Sequence, residues 1–149
     1  LLNGGMIVEP IMTNCGVVLP DDGYLQGLKE TCHTHGAMFA YDEVKTGFTV
    51  AWGGAIEAFG VQPDLVAFAK ALGAGLPCGA IGGTEQAMAG VIAGDIDQVG
   101  TFNGNPLTMA AAKAIAALER PDPGGPVISQ AWCRRWVSRA CVKARTTWS

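Results

Sequence analysis

The sequence predicts an α/β protein built on a mostly parallel sheet flanked by helices. Three observations carry this. Short apolar runs at 6–8, 37–41, 65–69 and 78–83 have the length of buried strands. Between them lie stretches with helical spacing or strong helical propensity. The chain also holds 21 glycines in 149 residues, which suits tight turns and close packing; with 49% hydrophobic residues, disorder is excluded as its main state.

In chain order, Met6-Ile7-Val8 reads as a buried strand stopped at Glu9-Pro10, because proline cannot donate to a central ladder. Thr13-Asn14-Cys15-Gly16 is a polar turn. Pro20-Asp21-Asp22-Gly23 is a second turn and a helix start, with the aspartates placed against the helix N-terminus. Tyr24, Leu25, Leu28 and Cys32 keep helical spacing, and His35-Gly36 supplies a glycine stop. Ala37 to Tyr41 is the next strand. The first forty residues thus spell β-α-β, which implies a right-handed parallel crossover. Thr46-Gly47-Phe48 is a loop, and Ala55 to Phe59 a short helix ending at Gly60. Pro63-Asp64 opens the third run, Leu65 to Ala69, which ends at Lys70. Gly73, Gly75 and Pro77 then break the chain. Residues 78–83 form a small-residue strand, and Thr84 caps a helix reaching about Ala93. Residues 100–106 are a loop, and 107–118 an alanine-rich helix.

Bulk properties narrow the function classes. No run of 18 apolar residues exists, so no transmembrane helix is expected, and no leader pattern is visible. The five cysteines are scattered and odd in number, which points to a reducing, cytoplasmic compartment. Charge is uneven: residues 1–119 carry four Lys against twelve Asp and Glu, whereas 120–149 carry six Lys and Arg against one Asp. A linker at 121–126 separates the two, so the expected organisation is a domain over 1–119 and a basic Trp- and Arg-rich tail over 120–149. Ile128, Trp132, Trp136 and Ala140 in that tail recur at i+4 spacing. A basic amphipathic helix for an anionic surface is one reading. A poorly packed or frameshifted terminus, foreign to the rest, is the favoured one, and neither nucleic acid nor membrane is expected as a partner.

The chemistry concentrates between Ala40 and Gly75. Asp42 ends the second apolar run and Lys70 the third. On a strand, Asp42 and Val44 point the same way, toward the edge where open α/β sheets bind ligands. A carboxylate beside a branched apolar group suits a heteroaromatic ring with a protonated nitrogen. A lysine at an apolar strand end, followed by glycines that admit a ligand, suits Schiff-base chemistry. The residues alone leave the ordinary alternatives open: a solvated lysine and a capping aspartate.

Larger blocks of text go further. They are Val8-Glu9-Pro10; Tyr41-Asp42-Glu43-Val44 with Thr46-Gly47-Phe48; Gly60-Val61-Gln62-Pro63-Asp64; Ala69-Lys70 with Gly73-Ala74-Gly75-Leu76-Pro77; and Gly100-Thr101 followed by Gly104-Asn105-Pro106. In this order and spacing the chain resembles the class III (omega) aminotransferases of the fold type I pyridoxal-phosphate enzymes. Within that family, Asn14 and Trp52-Gly53-Gly54-Ala55 look like the glutamate-1-semialdehyde aminomutase branch. The resemblance implies part of a large cofactor-binding domain and amino-group transfer through a Lys Schiff base, with pyridoxal 5'-phosphate as cofactor. It implies that Lys70 is the catalytic lysine and that Asp42 pairs with the ring nitrogen. Val44 would pack on the ring, Asn14 would lie near the ring hydroxyl, and Thr101 would bind the phosphate of a neighbouring subunit. A homodimer acting on a small amino acid, keto acid or semialdehyde follows from the same resemblance. Lys45 departs from the family, where Gln or Met is common, so the pocket edge differs there. The match spans residues 6 to about 119. The family's glycine-rich phosphate loop and small domain have no counterpart here, so a fragment without activity of its own is the alternative.

Other signals carry less. Cys32-His33-Thr34-His35 lacks a second ligand cluster, so helix-end histidines are expected there rather than a metal. Gly73-Ala74-Gly75 fails the dinucleotide spacing, because Cys78 stands where glycine is needed. Cys78 reads as a small packed residue and Glu43, facing away from Asp42, as a structural one.

Overall fold

The computed structural model describes residues 4–101 and 103–117. The expectations for the 120–149 tail lie outside these residues. Four strands form one sheet in the order β1 (Gly5–Val8), β2 (Met38–Glu43), β3 (Leu65–Phe68) and β4 (Ala80–Gly83). β1, β2 and β3 run parallel, with Val8 beside Tyr41 and Asp42 beside Ala67; β4 runs antiparallel to β3, pairing Phe68 with Ala80. The parallel part follows the β-α-β reading. The reversal of β4 was not legible, because the turn that reverses the chain is not a two-residue hairpin. It is a single turn of 3-10 helix, Lys70–Gly73, followed by Ala74 in the left-handed region and the stretch to Cys78.

The helices are α1 (Tyr24–Thr34), α2 (Gly54–Phe59), α3 (Glu85–Ala93) and α4 (Pro106–Ala117). α1 starts where the 20–23 turn placed it. Asp21 and Asp22 do not cap it; Gly23, at φ 78°, turns the chain into the helix, and only the Asp21 carbonyl takes part, accepting the Tyr24 N–H at 3.1 Å. Thr84 does cap α3, its hydroxyl accepting the Ala87 N–H at 3.2 Å. Asn105 caps α4 by the same device, its Oδ1 accepting from the N–H groups of Leu107 and Thr108, and Pro106 takes the first helical position, where a missing N–H costs nothing.

β2 alternates strictly. Phe39, Tyr41 and Glu43 are fully buried while Met38, Ala40 and Asp42 are half-buried. The buried face meets Leu25 and Cys32 of α1, with Val66 of β3 and Ala55 of α2 completing the cluster. Phe39 and Tyr41 sit edge-to-face, ring centroids 5.2 Å apart. At the N-terminal edge of the sheet, Asp64 joins three elements. Its Oδ2 accepts from Phe39 N–H at 2.8 Å and from His33 Nε2 at 2.9 Å, and its carbonyl accepts from Thr84 N–H at 2.9 Å. No helix among the described residues is long and apolar enough to cross a membrane.

Candidate functional site

Asp42 and Lys70 stand at the C-terminal ends of neighbouring parallel strands. Asp42 lies beside Ala67, and Lys70 follows β3 after Ala69. The alternation of β2 turns Asp42 away from the core face that holds Tyr41 and Glu43. The strand ends at Glu43, so alternation does not extend to Val44. Instead Val44 lies in a turn and its N–H donates to Asp42 Oδ1 at 3.0 Å. Both side chains remain at the edge, but a turn holds them there. This bond occupies one carboxylate oxygen of Asp42 and orients the group. The second oxygen has no bond to a described residue and is free for a ligand donor. Lys70 is exposed and has φ 42°, a left-handed backbone that an L-residue adopts at a cost of about 1 kcal/mol. Leu72 and Gly73, in the same 3-10 turn, are buried, so the turn is anchored while the lysine faces outward.

Behind the edge lies Glu43, fully buried. Its Oε2 accepts from Ala55 N–H at 2.8 Å and from the Thr46 hydroxyl at 3.0 Å; its Oε1 has no partner. Burial pushes its pKa above the ordinary glutamate value, only partly offset by those donors. The same face leaves the Tyr41 hydroxyl buried without a partner, and burial together with the Glu43 charge raises its pKa. Glu43 thus pins the 44–53 loop to the start of α2. Gly54 is needed for this closure. It has φ 63°, and a Cβ there would lie 2.5 Å from Glu43 Oε2. The structural role expected for Glu43 is therefore present. The partners that make it a loop anchor lie up to twelve residues away and carry no sequence signal. Phe48 closes the loop from the other side, packing edge-on to Trp52 at 6.1 Å and tilted on Phe68 at 5.8 Å.

Asn14 lies in the 3-10 turn Thr13–Cys15 after β1, and Lys45 Nζ donates to its Oδ1 at 2.7 Å. The two loops that follow β1 and β2 are thereby tied together. Thr101 is exposed in the loop before α4; no hydrogen bond joins it to Asp42, Lys70 or Asn14. Its loop leads into α4, which packs on the turn of Lys70–Gly73. The histidines are used otherwise: His33 binds Asp64, and His35 Nδ1 meets the Thr31 carbonyl at 2.8 Å. No group of three or more metal-ligating side chains occurs among the described residues. A cleft of about 210 Å3 lined by His33, Met38, Asp64, Thr84 and Gln86 lies at the N-terminal edge of the sheet. It is remote from Asp42 and Lys70, on the edge where parallel sheets do not place their chemistry.

This edge offers a fixed carboxylate with one open oxygen, an exposed primary amine and an amide-ammonium pair. Those groups fit pyridoxal phosphate: an acceptor for a ring N–H, an amine for its aldehyde, and donors for its oxygens. Comparison with known proteins agrees. The family model for class-III aminotransferases matches residues 4–122. The glutamate-1-semialdehyde 2,1-aminomutase of Anaeromyxobacter sp. (strain Fw109-5) is 54% identical over 114 residues, which cover 76% of this chain and 27% of that protein. The protein of the same description from Anaeromyxobacter sp. (strain K) is 50% identical, with 76% and 26% covered. A solved transaminase with PLP bound superposes with a TM-score of 0.72 at 26% identity, covering 78% of this chain and 28% of that one. An omega-transaminase from Sphaerobacter thermophilus gives 0.69 at 31% identity, covering 74% and 26%. The chain spans about a quarter of the length of the curated relatives it matches.

Proposed function

Since the chain belongs to the class-III aminotransferases, we propose that it contributes the lysine and ring-nitrogen half of a pyridoxal-phosphate site for amino-group transfer of the aminomutase or transaminase type. The observation that carries this reading is the juxtaposition of Asp42 and Lys70 on the C-terminal ends of adjacent parallel strands. Pyridoxal phosphate, when bound, supplies an electron sink for bond changes at the amino acid's α-carbon. The chain's own residues do the rest. The open oxygen of Asp42 holds the proton on the ring nitrogen, and its other oxygen is kept in place by Val44 N–H. Val44 covers one ring face. Lys70 Nζ would hold the cofactor through its amine and would move the proton at the substrate α-carbon. Asn14 would hold the ring hydroxyl, and Thr101 would bind the phosphate of a neighbouring copy in a homodimer. The substrate is a small amino acid with its keto acid or semialdehyde partner.

The test is spectroscopic. Pyridoxal phosphate added to the purified chain should give a visible absorption band that resists dialysis, and Lys70→Ala should abolish it. Asp42→Ala should weaken cofactor retention about tenfold or more, because a charge-assisted bond to the ring is lost. A wild-type chain without the band, or a Lys70→Ala variant with it, would overturn the reading. A second reading is that the fold and cofactor contacts are kept without turnover. It predicts the Lys70-dependent band with no consumption of an amino donor.

A further inference from the structure

We propose that Lys45 is the carboxylate-binding residue of this site: its ammonium, held by Asn14, takes the carboxylate of the amino- or keto-acid substrate. This rests on the reading that amino-group transfer occurs at this sheet edge.

The first observation is placement. Lys45 lies in the turn after β2, three residues past Asp42, and Asn14 lies in the turn after β1. Their 2.7 Å bond spans 31 residues of sequence and ties neighbouring strand ends together on the edge where Asp42 stands. Lys45 is half-buried, and this bond, exposed at its Asn14 end, directs its ammonium toward the turn after β1.

The second observation is unspent donor capacity. An ammonium has three donors and no acceptor, and Asn14 uses one. Among the described residues no carboxylate pairs with Lys45; the ion pair they contain is His33 with Asp64, at the opposite edge. The ammonium also fixes the Asn14 amide. A group that can only donate must face the amide oxygen, which turns the Asn14 Nδ2 donors away from it. The pair therefore presents mainly donors to a ligand, two from the ammonium and the Nδ2 hydrogens, beside one Oδ1 lone pair, which favours an anion.

The third is the count of cations. Among the described residues, Lys29 lies on α1 and Lys113 on α4, leaving Lys45 and Lys70 at the C-terminal strand ends. Lys70 is committed to the amino-transfer chemistry, and Asp42 repels a substrate carboxylate. Lys45 is the cation that remains for it among the described residues.

The test titrates the chain with glutarate by calorimetry, with glutaramide as the uncharged control and inorganic phosphate as the competing anion. Glutarate should bind, glutaramide should not, and Lys45→Met should lower glutarate affinity about tenfold or more, as loss of a charge-assisted contact does. Lys45→Arg should restore much of that affinity, which a purely structural lysine would not predict. The thermal midpoint of each variant separates misfolding from lost binding. Glutarate binding that is absent in the wild type, or unchanged in a folded Lys45→Met variant, would overturn the proposal. So would binding of phosphate alone through Lys45. The Lys70-dependent band is read separately. Lys45-dependent glutarate binding without that band upholds the carboxylate site and overturns only the transfer reading.

Discussion

A single buried carboxyl shows how residue chemistry governs this edge. Both hydrogen bonds to Glu43 fall on Oε2 while Oε1 has none. Burial and the bare Oε1 disfavour the charged form, while the donors on Oε2 favour it. Burial raises its pKa above the ordinary value of 4.5. The folded state therefore holds the proton more tightly than the unfolded chain does. Its contribution to stability is full below the ordinary value, declines as pH rises from there through the raised value, and is then constant. Glu43→Gln keeps a neutral group of the same shape at every pH. Thermal melts of the two proteins across this range should show the wild type losing stability relative to the variant as pH rises. Parallel curves would refute the raised pKa. Glu43→Ala should cost about 1–3 kcal/mol at any pH, since it strands the Ala55 N–H and the Thr46 hydroxyl.

Elements are held in register from both ends of the sheet. At the C-terminal edge the ties are Glu43 to α2, Lys45 to Asn14, and the Phe48, Trp52 and Phe68 rings. At the N-terminal edge Asp64 does this for α1, β2 and the start of α3. Asp64→Ala removes the acceptor for Phe39 N–H and for His33, and should destabilise the chain by about 1–2 kcal/mol in urea unfolding. Because it acts at the far edge, the Lys70-dependent absorption band should survive under native conditions. Loss of the band in a folded variant would show that the two edges are coupled. The elements themselves were largely legible. The apolar runs, Gly36 after α1 and Thr84 before α3 are local signals with local causes. The start of α1 after the 20–23 turn was legible too, and the structure adds that the left-handed Gly23 makes the turn.

On the scale of the whole molecule, the described residues bury one face of β2 under α1 and α2, leave its other face half-buried, and set α3 against β4. β1 is an edge strand, and Met6, Ile7, Met12, Val17, Val18, Leu19 and Tyr24 are all substantially exposed. An apolar edge with free backbone groups favours association. The chain should show concentration-dependent self-association in sedimentation velocity. Ile7→Lys, on the 64% exposed side chain of that edge, should reduce it without altering the far-ultraviolet circular dichroism. An association unchanged by that substitution would place the contact elsewhere.

The sequence by itself determined the β-α-β order and the parallel pairing, because those features rest on local periodicity, and its family motifs singled out Asp42 and Lys70 as the residues proposed for the chemistry. Only the tertiary structure decided what surrounds them. The reversal of β4, the turn that holds Asp42 through Val44, the closure of Glu43 on Gly54 and Ala55, and the bond from Lys45 to Asn14 all join residues through space. Such contacts depend on how strands stack side by side, and pattern within one segment does not encode them. Lys45 could be recognised in the sequence as unusual, but its proposed role became visible once two strand ends were brought within 2.7 Å of each other through its side chain.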